Sequence, residues 1–469
     1  MILDVKRRLA SVPVPRAVLA VLVVAVLVTG GIAARTGSGS CRGSQRRCGP
    51  AALVRWSRPL PGSWIAQDGV EGTVLSQGQA YAAAGEGVAV IGFGLTLSAY
   101  DVTSGSPRWA ETLDGLPAGS AIVSVAAWRG VVTIGVTTAV DATAGVGQVG
   151  AFGAAVSGAA VSGAAVSGVA VSGAVAARRE VVLDAVTGKQ LRTYPAARTG
   201  GAAWASRRRT VIVGATSVAG YANGTGRAVW RDPTGPAEQA WRVAGRKLYV
   251  TVSARGEVGT APVTAVRQID LSTGAERLIR PPSGPFGGML TGVVDGVLVF
   301  SGSGGLSTYS LATGDLTGQR PGAVVEAADP VRQLLYADIA GALTGLDPVT
   351  LREQHGGAET ALPGVYGVRS GVALGLDSGS GGAAWGYSIA QGRVAWTLRS
   401  LPWPHYFADQ SGAFGLSGPG GGVDPDTGTV LLVTCAATGQ PVPGTVVGGG
   451  GRTCLRPRLV AIGPWGAAS

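Results

Sequence analysis

Asparagine is almost missing from this chain: Asn223 is the only one in 469 residues, beside two histidines (His355 and His405), two methionines and four cysteines. These shortages exclude much chemistry. A Ser–His–Asp arrangement needs one of two histidines, and neither lies beside a nucleophile motif. His355 takes the place of a docking aromatic in its repeat, and His405 in "WPHYF" reads as part of an aromatic packing cluster. Charge is also scarce, at 14% of residues, although Lys+Arg exceeds Asp+Glu to give a net charge of +11. The excess is nearly all arginine and forms no basic run interleaved with aromatics, so no nucleic-acid partner is expected. The nearest approach, Trp204 followed by Arg207, Arg208 and Arg209, precedes the apolar run "VIVGA" and reads as a hairpin tip. Glycine-rich runs such as "GPGGG" precede no strand-to-helix switch and are loops rather than phosphate cradles. Asp424 and Asp426 in "VDPDTG" shape a turn, and Asn223 suits turn geometry within an "NGT" glycosylation pattern. No metal or cofactor is expected.

What the chain has in abundance is apolar and small residues, 46% hydrophobic with 78 glycines. Residues 1–16 carry Lys6, Arg7, Arg8 and Arg16, and "AVLAVLVVAVLVTGGIAA" then runs from Ala17 to Ala34 without a charge. At 1.5 Å per residue such a helix rises about 27 Å, near the thickness of a bilayer's hydrocarbon core. The basic residues ahead of it favour a cytoplasmic N-terminus, which puts everything after Arg35 outside the cytoplasm. An uncleaved single-pass anchor over 17–34 is the expectation, with residues 35–51 as an extracytoplasmic linker. A cleaved signal peptide is the competing reading, and both export the chain. All four cysteines follow the apolar segment, so two local disulfides, Cys41–Cys48 and Cys435–Cys454, are expected in that compartment.

One skeleton recurs along the rest of the chain. "AYDVTSGSPRW" (Ala99–Trp109) returns as "VLDAVTGKQLR", "GYANGTGRAVW", "QIDLSTGAERL", "TYSLATGDLTG", "GLDPVTLREQH" and "GYSIAQGRVAW". The frame holds Asp101, Asp184, Asp270 and Asp347 at the end of a strand. A glycine follows at Gly105, Gly188, Gly226, Gly274, Gly314 and Gly392, and a tryptophan four residues later at Trp109, Trp230 and Trp396. An Asp or Ser there accepts backbone N–H bonds two residues on, and glycine supplies the positive φ of a tight reversal, so the frame is a hairpin turn. Each tryptophan opens the next strand, placed to cover a neighbouring unit.

From Gly188 the steps to Gly226, Gly274, Gly314, Leu351 and Gly392 are 38, 48, 40, 37 and 41 residues. A period near 40 with several short strands per unit predicts an all-β propeller of seven or eight four-stranded blades, spanning 52–469. The step from Gly105 to Gly188 is 83 because it contains "AAVSGAAVSGAAVSGVAVSGA", whose period of five matches neither strand nor helix. Residues 137–178 therefore read as a low-complexity insertion in a blade hairpin. Near the C-terminus the register blurs, since frames ending at Gly428 and at Gly439 both fit. "ALVRWSRPL" (Ala52–Leu60) resembles an outer strand without partners and "CLRPRLVAIG" (Cys454–Gly463) a late inner one. The two ends are expected to meet in one composite blade.

"AYDVTSGSPRW" is similar to the Ala-x-Asp-x-x-Thr-Gly-x-x-x-Trp docking motif of pyrroloquinoline-quinone-like repeat propellers, with Ser104 in place of Thr. The resemblance covers nearly all the chain after about Ala51. The family the chain resembles includes quinone-dependent dehydrogenases, whose calcium ion is held by Glu, Asn and Asp and whose adjacent cysteines often form a disulfide ring over the cofactor, and non-catalytic members such as the propeller lipoprotein that assists outer-membrane assembly. A single asparagine and no adjacent cysteines argue against the dehydrogenase. The expectation is a monomeric, membrane-anchored, non-enzymatic scaffold for an unknown protein partner in a bacterial cell envelope. The alternatives are a quinone-dependent oxidoreductase or a sensor of small ligands or wall polymers.

Overall fold

Four-residue to eight-residue apolar strands punctuated by short turns can bury both faces only by stacking sheet upon sheet, and the chain does so radially. The computed structural model describes residues 53–60, 64–66, 80–398, 404–405, 427–439 and 452–463. Within 80–398 it leaves out 86, 94, 118–119, 129, 139–176, 197–200, 215–216, 234–240, 254–261, 330, 359–364 and 377–383. The strands form eight antiparallel sheets. Seven are simple meanders of four strands: blade 1 (80–112), blade 2 (121–196), blade 3 (201–233), blade 4 (241–279), blade 5 (289–320), blade 6 (324–358) and blade 7 (365–398). The first strands of successive blades adjoin: Ala80–Gly85 meets Ala121–Trp128, Trp241–Ala244 meets Met289–Val294, and Val324–Asp329 meets Val365–Arg369. These inner strands surround the axis, and each fourth strand lies outermost.

Blade 8 is built from both ends of the described chain. Pro404–His405, Val430–Gly439 and Arg452–Ile462 supply three strands, and Val54–Pro59 pairs with the last of them from Val54↔Ile462 to Pro59↔Arg458. Trp64–Ala66 continues the outer edge against Arg452–Cys454. The N-terminal segment is thus an outer strand that borrows its partners, and it fixes the count at eight blades.

The core is divided among the interfaces between blades, and each of the eight has its own apolar cluster. Between blades 8 and 1, Trp56, Leu60, Leu431 and Leu459 meet Ala84, Ile91 and Val102. Between blades 7 and 8, Val372 and Leu374 meet Leu432, Val460 and Ile462, with Trp396 against them. The other six interfaces are filled in the same way, so among the described residues every seam of the ring has an apolar cluster. Burying apolar side chains on both faces of every sheet supplies the main driving force, at roughly 25 cal/mol per Å² of apolar surface.

Two places differ from the sequence expectation. The ladder of blade 2 continues to Thr138↔Ala177, so the connection there is 139–176 rather than 137–178; the flanking residues still satisfy their backbone in the sheet. Gly439 ends the strand Val430–Gly439, whereas Gly428 has the positive φ of a frame glycine (+65°), with Thr429 N–H donating to Thr427 Oγ1 (3.3 Å), but it leads into the second strand of blade 8 rather than the fourth; Asp424 and Asp426 lie outside the described residues. Blade 8 needs no turn between its third and fourth strands, because the fourth arrives from the N-terminal side.

Candidate functional site

The recurring frame closes each blade from its third to its fourth strand. In blade 1, Asp101 Oδ1 accepts the N–H groups of Thr103 (3.1 Å) and Ser104 (2.9 Å) and the Ser104 hydroxyl (3.0 Å). Asp184, Asp270 and Asp347 repeat this with Val186 and Thr187, Ser272 and Thr273, and Val349 and Thr350. In blade 5, Ser310 Oγ takes the same part. Gly105 N–H then donates to Asp101 O (2.8 Å) with φ at +67°, which closes the reversal. Each turn is also tied to the first hairpin of its own blade: Val102 N–H donates to Gly87 O, Ala185 to Gly130 O and Leu271 to Arg246 O. The first-to-second and third-to-fourth turns therefore share one face, the turn face. The strand ends that flank the remaining connections, Thr138 and Ala177 among them, lie on the opposite loop face.

The tryptophans link neighbours, as the frame's geometry requires. Trp56 Nε1 donates to Val102 O (2.8 Å), and a Cβ at Gly105 would lie 2.5 Å from Trp56 Cδ2. Trp109 Nε1 donates to Ala185 O (2.9 Å) across Gly188, and Trp230 lies over Gly274. Each indole also crosses its partner in the same blade, where only Ala99, Gly220 or Gly386 fits. That explains the small residue opening the frame. Two blades do the same job with other residues. Arg192 replaces the aromatic between blades 2 and 3, its guanidinium donating to Asn223 O (3.1 Å) and Gly224 O (2.8 Å) beside Gly226. Between blades 5 and 6 the sizes are exchanged: Gly318 stands at the tryptophan position and Leu351, 2% exposed with φ at +53°, at the glycine position. Thr308, at the small-residue position, donates its hydroxyl to Val349 O (3.2 Å). Gly314 turns against Arg280 of the chain leaving blade 4, and Gly392 at φ +61° closes blade 7.

These turns set an acid limit on the fold. The Arg108 guanidinium, followed by the Ser104 N–H, holds the Asp101 carboxyl down at about 2. Lys247 and the Ser272 hydroxyl hold Asp270 well below the usual carboxylate range, and the Thr350 N–H lowers Asp347. Burial opposes the shift at Asp184, but the Thr187 and Val186 N–H groups outweigh it. A depressed native pKa stabilises the fold fully above the unfolded value near 3.9 and loses that contribution as pH falls through the native one. The urea midpoint should therefore be flat from about pH 6 to 5 and fall steeply from about pH 4 to 2. Asp101→Asn with Asp270→Asn should flatten that fall, and an unchanged acid limb in the double variant would exclude the turns as its cause. Glu180 and Asp232 run the other way: burial raises both, so acidification relieves them.

Several buried polar groups had no sequence signal. Glu180, 1% exposed, pairs with Arg178 (2.8 Å), whose guanidinium also reaches Ser124 (3.0 Å) beside Gly135 and Gly201. Arg267 joins Asp232 and Glu276 across blades 3 and 4. Arg242, on the innermost strand of blade 4, donates to Thr291 O (2.9 Å) in blade 5, and burial lowers it to about 10, leaving it charged at neutral pH. Asn223 sits in the frame turn, as the sequence suggests, but its side chain is buried there. Its Oδ1 accepts from Tyr194 (2.7 Å) and Thr210 (2.9 Å) and its Nδ2 donates to Ser206 O (2.7 Å), so it clamps blades 2 and 3 at 3% exposure. The reason is its frame position: it occupies the place of Val102, which points inward. The "NGT" acceptor is thereby buried.

A calcium–quinone centre of the kind the resemblance implies does not fit these donors. The one asparagine amide is spent on the turn face, and among the described residues no group of three or more His, Cys, Asp or Glu could hold a metal ion. Cys41, Cys48, Asp424 and Asp426 lie outside the described residues, as do the side chains of His355, His405, Cys435 and Cys454. The strand register sets Cys435 opposite Pro457 and Cys454 opposite Thr438. Among the described residues no helix is long and apolar enough to cross a membrane, and Ala17–Ala34 lies outside them.

No family model and no curated protein matches the chain. Among solved structures it is similar to a europium-containing methanol dehydrogenase (11% identity, 89% of this chain and 96% of that one, TM-score 0.45). It is also similar to BamB from Moraxella catarrhalis (16%, 75% and 96%, TM-score 0.36) and to the dihydro-heme d1 dehydrogenase NirN (15%, 69% and 67%, TM-score 0.42). What the chain shares with them is the propeller.

Proposed function

We propose that the chain is a membrane-anchored propeller on the outer side of a bacterial cytoplasmic membrane, serving as a non-enzymatic protein-binding or envelope-assembly scaffold. The observation that carries this reading is the division of labour between the faces. The frame turns are consumed in holding the ring together, while the loop face bears the strand ends Thr138 and Ala177, which flank the longest connection within a blade, and the exposed apolar side chains of Met289 and Val324 at adjacent inner strands. Buried charges such as Glu180 and Arg267 are committed to partners within a blade or in the neighbouring one rather than aimed at a common point.

A photo-crosslinking amino acid at Met289 or Val324 should capture a defined protein in intact cells, and one at Val331 on the turn face should not. Absence of protein adducts from both loop-face positions would contradict the scaffold. So would tight, stoichiometric binding of pyrroloquinoline quinone with calcium, read by absorption. A reporter active only in the cytoplasm, fused after Ser469, should be silent, and activity there would reverse the topology.

A further inference from the structure

We infer that the turn face lies against the anionic phospholipid headgroups of the membrane, which aims the loop face away from the bilayer; this rests on the anchor reading above. The first observation is the direction of the closing strand. Val54 pairs with Ile462 and Gly463 N–H donates to Leu53 O, so the described chain begins at the turn-face end of blade 8. Leu53 and Val54 are 66% and 42% exposed there. Upstream, residues 35–52 separate this point from the apolar stretch ending at Ala34 and include Arg35, Arg42, Arg46 and Arg47. Eighteen residues behaving as a flexible coil would span about 24 Å. A strand of six to eight residues adds about 20–26 Å before the loop face is reached. The turn face is thus the one held within reach of the bilayer.

The second observation is independent, and concerns charge. On the turn face Asp101, Asp184 and Asp270 are neutralised by Arg108, Arg207 and Lys247. Beyond those pairs, Lys189, Arg208, Arg227, Arg246, Arg352 and Arg393 stand exposed around blades 2, 3, 4, 6 and 7 without a salt bridge among the described residues. Four of these six follow directly on the frame's glycine position, so the repeat itself distributes cations round one face. Asp295 and Asp315 in blade 5, and Asp347 beside Arg352 in blade 6, interrupt the pattern. A ring of cations facing an anionic surface is attracted within a Debye length, and the attraction adds to that of the linker arginines.

The test uses the full chain reconstituted into vesicles of phosphatidylcholine alone or with one-third phosphatidylglycerol. An environment-sensitive fluorescent amino acid is placed at Val186 on the turn face or at Met289 on the loop face, and a lipid carrying a headgroup nitroxide is the quencher. On the anionic vesicles quenching at Val186 should exceed that at Met289 at least threefold. The difference should collapse in 1 M KCl, where the Debye length is about 3 Å, and in the Arg208→Glu, Arg227→Glu, Arg246→Glu variant. Equal or greater quenching at Met289, or quenching at Val186 indifferent to lipid charge and salt, overturns the inference. So does loss of Val186 quenching to a soluble polyanionic wall polymer supplied at equal phosphate. Flotation with the neutral vesicles reads the anchor separately: a chain that fails to float there but shows the Val186 preference on anionic lipid loses the anchor and keeps the face.

Discussion

Replacing Trp56 by alanine is expected to cost about 3–5 kcal/mol of unfolding free energy, the range for removing a large buried aromatic. Trp56 is 7% exposed, and it is the side chain on which ring closure converges. Its strand is borrowed from the N-terminal side, its indole donates to Val102 O in blade 1, and its ring covers Gly105 with Tyr100 at 6.0 Å between centroids. Alanine removes the apolar contacts and leaves the Val102 carbonyl without its donor, two losses that add. Gly105→Ala attacks the same contact from the other side, since its Cβ would enter the indole and its φ of +67° disfavours a side chain. Denaturant unfolding followed by near-ultraviolet circular dichroism checks both variants. A loss under about 1 kcal/mol for Trp56→Ala would mean that this seam does not hold the ring.

A second large effect is expected where blades 5 and 6 meet. The frame there has exchanged its sizes at three positions: threonine for the small residue, glycine for tryptophan and leucine for glycine. Gly318→Trp alone should lose about 1–3 kcal/mol or more from overpacking, because a Cβ at Gly318 already lies 2.9 Å from Val349 O and 3.0 Å from Leu351 Cγ. Leu351→Gly alone relieves a strained positive φ worth about 1–2 kcal/mol. It also empties a site where a leucine is worth about 2–5 kcal/mol, so it too should lose. The triple variant Thr308→Ala, Gly318→Trp, Leu351→Gly rebuilds the arrangement of Trp109 over Gly188. It should come within about 1 kcal/mol of the parent, well above the sum of its parts. Strictly additive losses in equilibrium unfolding would show that the three positions do not form one contact.

These two sites also mark how far the sequence carries. The 40-residue step, the Asp–Gly turn and the indole on a neighbouring blade were readable because each is a local requirement that recurs. The borrowed strand was readable because Val54–Pro59 has the alternation of a blade edge but no sheet of its own. The exchange at Thr308, Gly318 and Leu351 was not readable as one, since its members belong to two blades and only their contact shows that they compensate. Arg192 looked like a frame without its aromatic, yet its guanidinium reaches the same carbonyl position that Trp56 and Trp109 reach elsewhere. Asn223 was readable as a turn residue, but its clamp on Tyr194 and Thr210 was not, because those partners carry no periodic mark in the sequence. The ion pairs of Glu180 and Arg267 join residues whose spacing carries no periodic mark. Blade count stayed between seven and eight in the sequence because frames counted only seven closing turns, and the eighth blade has none.

The central claim is that Arg452–Ile462 is an interior strand with Val54–Pro59 on its outer side. Backbone amides of an antiparallel strand point alternately to its two neighbours, so each neighbour protects every second one. Residue-resolved hydrogen exchange over Arg458–Ile462 reads this directly. If the ring is closed by the borrowed strand, all of these amides exchange slowly and together. Alternation of slow with freely exchanging amides along the same stretch would mean that its outer edge is bare and the ring is open.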